Sequence, residues 1–371
     1  MKILIVRLSA LGDIVHALPV LAAIKKAMPG AEVDWLVEES YASILSIATG
    51  LRRRIIVRAR NSFATPEAIS FGGLRGYHAA AKYLWNQDYD VALDLQGLIK
   101  SAIWARISFA HRVVGFDEPN LREPQAAMLY SETVTPQDRP TSQQAKQPIG
   151  QQANRPAGHQ SVGSHEPHVI WKNLSILEAL KIDPGPIDLP LTPQGSPGTT
   201  AAIDAASGPR GFIVLNPGAA WPNKRWPPER FGALAASLRD RLGLPSLVTW
   251  GPSERELADA VARASSGAAT LAPATSVSEL AVLMRDAALA VSGDTGPLHI
   301  AAAMGTPVVG LYGPTWPERN GPWDPRDVVI SRAGVCVCHH KRQCLRGAPC
   351  INEITVEEVV QASERRLQAA T

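Results

Sequence analysis

The chain has 371 residues, with 37 Lys and Arg against 34 Asp and Glu, so its formal net charge is only +3. At roughly 100–200 residues per domain, this length predicts about two domains. The hydrophobic fraction of 45% is typical of a soluble globular protein and excludes a fibrous or wholly disordered chain. The balanced charge argues against nucleic acid as a partner, and four Cys are too few for a disulfide scaffold.

The first apolar run, residues 3–6, is short and is ended by Arg7. It is too short for a secretory signal, and no later run approaches the roughly 18 apolar residues of a membrane span. We therefore expect a cytoplasmic protein that is neither exported nor threaded through a bilayer.

Apolar runs of strand length alternate with longer helical patterns along the chain, which predicts parallel sheets covered by helices. In the first half, the strand candidates are 3–6, 33–37, 54–57, 91–95 and 113–115, and one helix candidate spans 14–28. In the second half, the strand candidates are 212–215, 247–250, 288–291 and 308–311, and the helix candidates are 231–242, 253–264, 277–286 and 297–304. The predicted fold class is α/β, with two Rossmann-like βαβ domains.

Two stretches interrupt this alternation. Residues 135–168 are rich in Gln, Pro, Ser and Gly, which predicts a disordered insertion because such a segment buries little apolar area. Residues 183–211 carry repeated prolines and are interpreted as an interdomain connection, with the linker itself at 191–210. The domains are therefore placed at 1–190 and 211–353.

In open α/β sheets, ligands bind beyond the carboxyl ends of the strands, near helix N-termini. The loop after the first strand, residues 7–13, contains Gly12 and ends at Asp13, where a helix is expected to begin. An Asp in this position either caps the helix or acts as a general base at the mouth of a cleft. The loop lacks the GxGxxG pattern, which disfavours a nicotinamide enzyme.

Three loops of the second half complete the candidate site. The Gly-Asp-Thr-Gly sequence at 293–296 opens a helix, so it is either a diphosphate site made of backbone N–H groups or a structural turn. The loop 216–226 contains Lys224 and Arg225, which either neutralise phosphate or form a solvated basic loop. The loop 310–317 is either part of a nucleotide pocket or a rigid turn. Together they predict a nucleotide-sugar cleft suited to glycosyl transfer, which needs a carboxylate base and fixed donors for a departing diphosphate.

Several motifs, in order, resemble the bacterial lipopolysaccharide heptosyltransferases of glycosyltransferase family 9, and most of all the members that add the first heptose. They are RLSALGDIVH at 7–16, DWLVEE at 34–39, DLQGLIKS at 94–101, REP at 122–124, KRWP at 224–227 and the run 293–314. The resemblance implies the GT-B fold. It also implies a nucleotide-sugar-binding second domain, an acceptor-binding first domain, and a final helix, 354–371, that packs back on the first domain.

The resemblance further implies inverting transfer of heptose from ADP-heptose to a Kdo residue of Kdo-lipid A, at the cytoplasmic face of the inner membrane. Asp13 would be the catalytic base, and Lys224 would contact the donor phosphates and the transition state. No resident cofactor is implied, and a role for Mg²⁺ stays open. The implied donor-binding residues are Ser253, Glu254, Asp294, Thr295, Gly296 and His299.

Residues 51–60 contain five Arg and no acid. This run is either a solvated strand edge or a site for an anionic acceptor, such as lipid A phosphates, Kdo carboxylates or an anionic membrane surface. The acceptor-binding candidates are Arg52, Arg53, Arg54, Arg58, Arg60, Lys100 and Arg122.

Some alternatives remain open. The tail contains Cys336, Cys338, Cys344 and Cys350, which could bind zinc, remain free thiols or form a disulfide. The rival functions are transfer to a later core heptose, a GT-B-like sugar-nucleotide epimerase that needs no lipid acceptor, and a non-enzymatic basic surface module.

Overall fold

A computed structural model of the chain describes residues 1–58, 63–64, 68–136, 167–339, 341–344 and 347–369. The chain forms two compact units, the first ending at Thr192 and the second beginning at Pro193. The expected disordered insertion, 135–168, lies outside the described residues except at its two ends. Among the described helices, none is both long and apolar enough to cross a membrane.

The first unit is built on an eight-stranded sheet in the order β4-β5-β3-β2-β1-β6-β7-β8, parallel except between β4 and β5. The central strand β1 pairs Ile3 with Val33 on one side and with Val91 on the other. Residues 3–6 are buried, as expected of a strand covered on both faces. The strands are β1 (Lys2–Val6), β2 (Glu32–Glu38), β3 (Arg53–Arg58), β4 (Phe63–Ala64), β5 (Ala68–Gly72), β6 (Val91–Asp94), β7 (Arg112–Phe116) and β8 (Glu132–Val134).

The predicted helix 14–28 is in fact two helices. The break falls at His16 and Ala17, and Pro19 lies in the first turn of the second helix. Proline lacks a backbone N–H, so it is tolerated where a helix begins and not in its interior. The helices of this unit are α1 (Leu11–Val15), α2 (Leu18–Ala27), α3 (Gly73–Trp85), α4 (Ile99–Ile107) and α5 (Val169–Ser175).

The second unit is built on a six-stranded parallel sheet in the order β11-β10-β9-β12-β13-β14. Its strands are β9 (Ile213–Asn216), β10 (Ser246–Val248), β11 (Ala269–Leu271), β12 (Leu289–Gly293), β13 (Val308–Tyr312) and β14 (Val328–Ser331). Its helices are α6 (Pro197–Ala206), α7 (Pro228–Leu242), α8 (Arg255–Ala264), α9 (Val277–Asp286), α10 (Gly296–Ala303), α11 (Pro317–Asn320) and α12 (Val356–Gln368). Two parallel sheets covered by helices confirm the predicted α/β class.

The predicted linker, 191–210, contains a helix. Ser196 caps α6 by accepting a hydrogen bond from the Thr199 backbone N–H, and Pro197 lies in the first helical turn. The helix packs on α9, and Thr199 and Ala206 are buried. The repeated prolines of this stretch indicate a linker in the sequence, but one of them begins a helix.

The final helix, α12, differs from the expectation that it packs on the first domain. Val359, Val360 and Ala362 lie in the core of the second unit, where α12 packs on α7, β13 and β14. Arg366 fixes the same position because its Nε lies 2.7 Å from Asp327 Oδ1, with both side chains 2% exposed. The buried face of α12 is therefore occupied within its own unit.

Candidate active site

Asp13 lies in α1, directly beyond the carboxyl end of β1. Its Oδ1 is 3.0 Å from Arg7 Nη2, and its Oδ2 accepts a hydrogen bond of 3.3 Å from the Ala10 backbone N–H. The side chain of Arg7 is 6% exposed and that of Asp13 is 28% exposed. A buried guanidinium thus holds a carboxylate that still reaches solvent, so Asp13 both caps its helix and remains accessible to a substrate.

The sequence reasoning missed Arg7 as a site residue. Its Nη1 also donates to the backbone oxygen of Leu95, at the end of β6. The sequence does indicate Arg7, because it is a cation directly after a buried apolar strand. A buried charge needs a carboxylate or carbonyl partner.

Two predicted acceptor residues lie at the same carboxyl edge of the first sheet. Lys100, in the first turn of α4, forms an ion pair with Glu38 at the end of β2. Arg58 ends β3, and its Nη1 lies 2.6 Å from Glu39 Oε1. Arg122 is exposed in the loop that follows β7.

The four described arginines of the run 51–60 do not form one patch. Arg52 lies at the opposite, amino edge of the sheet, where its Nε and Nη2 donate to the fully buried carboxylate of Asp34 at 2.9 and 2.5 Å. Arg53 Nη1 donates to the Tyr83 hydroxyl at 2.6 Å, and Arg54 follows it in the amino half of β3. A buried carboxylate requires a counter-ion, which gives Arg52 a structural role instead of the predicted acceptor contact. Arg60 lies outside the described residues.

In the second unit, Asp294 follows β12 and is the centre of a buried cluster of polar side chains. Its Oδ2 lies 2.5 Å from Lys224 Nζ and accepts a hydrogen bond of 2.7 Å from the Thr315 hydroxyl. Its Oδ1 accepts a hydrogen bond of 3.1 Å from Asn320 Nδ2 and lies 3.4 Å from His299 Nε2. Four neighbours therefore fix this carboxylate.

The electrostatics of the Asp294 cluster favour the ionised carboxylate. Burial by itself would raise the pKa of Asp294, but the hydrogen bond from His299 and the positive charge of Lys224 outweigh it and lower that pKa. Lys224 Nζ also lies over the Trp221 ring, 4.9 Å from its centroid. Lys224 is thus held in one place, with 15% of its side chain exposed.

Thr295 and Gly296 form the start of α10. Thr295 is the N-cap residue and Pro297 lies in the first turn. Asn216, at the end of β9, donates through Nδ2 to Ser292 Oγ at 3.0 Å and to Thr295 Oγ1 at 3.3 Å. The neighbouring strand end thereby fixes a helix N-terminus whose backbone N–H groups suit an anion.

Glu254 lies against the backbone at the end of β9. A Cβ added to Gly218 would lie 2.7 Å from Glu254 Oε1 and closer still to Oε2 and Cδ. Glu254 Oε2 accepts a hydrogen bond of 3.1 Å from the Gly251 backbone N–H. Ser253, beside it, is exposed and has a φ of 68°. The structure thus brings Glu254 to the same sheet edge as Lys224 and Asp294.

The sequence reasoning also missed Thr315 and Asn320. In the sequence, the loop 310–317 fits either a nucleotide pocket or a rigid turn. Because Thr315 donates to Asp294, the loop is part of the Asp294 cluster, and Asn320 of the following helix α11 also donates to Asp294.

The four cysteines of the tail lie together. Cys336, Cys338 and Cys350 are buried, Cys344 packs against them, and all four are free thiols. The Sγ atoms of Cys336 and Cys338 are 3.5 Å apart. Within the described part of the chain, no group of three or more His, Cys, Asp or Glu side chains is arranged to hold a metal ion.

The sequence profile of glycosyltransferase family 9 (heptosyltransferase) matches residues 156–348, slightly more than half of the chain. The chain therefore belongs to this family and is a glycosyltransferase, which confirms the family expected from the motifs.

Named relatives agree with the family. The chain is 29% identical over 351 residues to lipopolysaccharide heptosyltransferase 1 of Pseudomonas aeruginosa, covering 93% of this chain and 87% of that protein. It is 30% identical over 332 residues to lipopolysaccharide heptosyltransferase 1 of Salmonella typhimurium, covering 86% and 91%. The solved structure of E. coli heptosyltransferase WaaC with ADP is similar at a TM-score of 0.68 and 25% identity, covering 100% of this chain and 99% of that one.

Proposed function

We propose that this chain transfers an L-glycero-D-manno-heptosyl residue from ADP-heptose to a Kdo residue of Kdo-lipid A, with inversion, during synthesis of the lipopolysaccharide inner core. The observation that carries the proposal is the Asp294 cluster, in which a buried carboxylate fixes Lys224 beside a helix N-terminus in a chain of family 9. The relatives named for lipopolysaccharide heptosyl transfer support the acceptor class.

The second unit binds the donor in this proposal. Lys224 and the backbone N–H groups at the start of α10 stabilise the negative charge that develops on the departing diphosphate. Asp294 acts as a positioning residue, because its carboxylate holds Lys224 Nζ at 2.5 Å. Glu254 accepts hydrogen bonds from hydroxyls of the nucleoside, which suits a side chain with two acceptor oxygens.

The first unit binds the acceptor and supplies the base. Asp13 takes the proton from the acceptor hydroxyl, whose oxygen forms a bond to the anomeric carbon of the heptose. The bond from that carbon to the diphosphate breaks on the opposite face, and its electron pair leaves with ADP. Arg7 positions Asp13 through their 3.0 Å ion pair. Arg58, Lys100 and Arg122 remain the candidates for the anionic groups of the acceptor.

The proposal places the enzyme at the cytoplasmic face of the inner membrane, as a peripheral protein, because its acceptor is a lipid. Lys224 already supplies positive charge to the diphosphate, so the proposal needs no resident cofactor. Transfer assays with EDTA and with added Mg²⁺ test this point, since a rate that requires added Mg²⁺ would contradict it.

The experiment that tests the function is incubation of the purified protein with ADP-heptose and either Kdo-lipid A or the same lipid already carrying one heptose. Mass analysis of the lipid should show one added heptosyl residue on Kdo-lipid A. An adduct on the heptosylated lipid alone would assign a later transfer. Conversion of the donor with no lipid adduct would instead favour the epimerase.

A further inference from the structure

Several exposed apolar side chains lie on the outer side of two helices of the first unit. Trp85, at the end of α3, is 60% exposed, and Phe109, just beyond α4, is 59% exposed. Their rings stack with centroids 4.8 Å apart. Tyr77 is 40% exposed and lies against Trp104 of α4, at 5.8 Å between ring centroids.

The outward stripe of α4 extends this surface. Ile99 and Ile103 are 38% and 45% exposed, and Arg106 and Phe109 continue the stripe at helical spacing. The core does not need these side chains, because Ala80, Leu84, Trp104 and Ala105 already form the buried faces of the two helices. We call Tyr77, Trp85, Ile99, Ile103 and Phe109 the aromatic face.

The charge of the two helices has a single sign. The sequences of α3 and α4 contain Arg75, Lys82, Lys100 and Arg106 and no Asp or Glu. Lys82 and Arg106 are exposed. Just beyond α3, the exposed Asp88 lies 3.4 Å from His111, so one acid stands at this end of the face among the cations. A second copy of this chain placed on the aromatic face about a two-fold axis would therefore bring mainly cations against cations, which disfavours self-association.

Exposed aromatic rings set among cations fit one kind of partner in particular. Trp and Tyr side chains prefer the interface between lipid headgroups and acyl chains, and Lys and Arg are attracted to anionic headgroups. The face begins at the carboxyl edge of the sheet, where Lys100 of α4 pairs with Glu38. It ends at Trp85 and Phe109, near the amino edge.

We propose that the aromatic face lies in the headgroup region of an anionic phospholipid bilayer, with Lys82 and Arg106 on the lipid phosphates. This inference rests on the proposed function, since it names the surface by which the enzyme meets the membrane that holds its acceptor.

Co-sedimentation of the full chain with vesicles tests the proposal. Wild type should bind vesicles of phosphatidylglycerol and phosphatidylethanolamine and bind phosphatidylcholine vesicles much less. Trp85→Ser/Phe109→Ser should weaken binding to the anionic vesicles by about tenfold or more, because two large apolar side chains no longer enter the interface. Lys82→Glu/Arg106→Glu should weaken it through charge. Val337→Ser, which alters an apolar residue that is 64% exposed in the second unit, is the matched control and should bind like wild type.

Three outcomes would overturn the proposal: no binding by wild type, equal binding of neutral and anionic vesicles, or undiminished binding by the Trp85/Phe109 double variant. Self-association of wild type that this variant abolishes would assign the face to a second copy. Circular dichroism of each variant shows that the fold persists.

Transfer assays separate this inference from the proposed function. With a deacylated, water-soluble Kdo acceptor, the Trp85/Phe109 double variant should transfer heptose at the wild-type rate, and it should be slow only on acceptor embedded in vesicles. An equal loss on both acceptors would contradict the membrane role. Failure of wild type on both acceptors would contradict the proposed function, whatever the vesicles show.

Discussion

Replacing Gly218 by Ala should displace the carboxylate of Glu254 without altering that residue chemically. The added Cβ would lie 2.7 Å from Glu254 Oε1 and closer to Oε2, whereas an ordinary contact needs at least 3.4 Å. The carboxylate must therefore withdraw by roughly an ångström from the end of β9. The obstacle is the far end of a flexible side chain, so we expect the free energy of unfolding to change by less than about 1 kcal/mol.

The expected effect on the donor is much larger. A hydrogen bond to a charged group is worth about 1.5–3 kcal/mol, so loss of one from Glu254 weakens binding roughly 10- to 150-fold. Calorimetric titration with ADP, the nucleotide bound in the E. coli WaaC structure, measures this change. Gly334→Ala is the matched control in the same unit, because nothing lies within 4 Å of its added Cβ, and it should bind ADP like wild type.

A double-mutant cycle shows whether Gly218→Ala weakens ADP binding only through Glu254. If Gly218→Ala acts only by displacing Glu254, then Glu254→Ala clears the space and the double variant should bind ADP as the Glu254→Ala single variant does. Additive losses would show that Gly218 acts in another way. Unchanged ADP binding in Glu254→Ala would remove Glu254 from the donor site.

Three further predictions concern buried charges and thiols. Arg52→Ala should lower the free energy of unfolding by about 3–5 kcal/mol in urea titrations, because it leaves Asp34 buried without its counter-ion. Arg58→Ala should cost less, because its partner Glu39 is 53% exposed and is not left as a buried charge. Equal costs would contradict the assignment of Arg52. The pKa of Asp294 is lower in the folded protein, so its carboxylate stabilises the fold fully above the unfolded pKa of about 4. This stability is lost as the pH falls through the folded pKa. In Asp294→Asn, the melting temperature should therefore fall less steeply as the pH is lowered. Burial, together with the hydrogen bond and charges of the neighbouring cysteines, raises the pKa of Cys350 to about 12. Alkylation of Cys350 at neutral pH, followed by mass mapping, should therefore be far slower in native than in unfolded protein. Equal rates would refute this.

The strands with a neighbour on both sides were predictable because both faces are covered and the sequence is continuously apolar, as in residues 3–6 and 308–311. Edge strands such as β11 (Ala269–Leu271) are only partly buried and lack that signal. Residues 197–206 were expected in a linker because of their prolines, and the final helix was expected on the first domain because of the resemblance. Their actual positions depend on apolar partners far away in the sequence, such as those of Val359 in the second-unit core.

The site was predictable where one loop after one strand contains the functional group, as for Asp13 and Asp294. The partners that fix those carboxylates were not, because Arg7 lies six residues before Asp13, at the start of the same loop, and Thr315 comes from a different loop. In the arginine run, residues that are close in sequence were expected to form one site, but the strand separates them. At roughly 3.3 Å per residue, the six steps from Arg52 to Arg58 span about 20 Å along the strand, so neighbours in sequence lie at opposite edges of the sheet.

The measurement that tests the central claim most directly is the mass of Kdo-lipid A after incubation with ADP-heptose, for wild type and Asp13→Asn side by side. Wild type should add one heptosyl residue. Asp13→Asn preserves the shape of the side chain but cannot take the acceptor proton, so its turnover should fall by about 10²- to 10⁴-fold, while ADP binding stays close to wild type. An Asp13→Asn enzyme that heptosylates Kdo-lipid A at the wild-type rate would contradict the account.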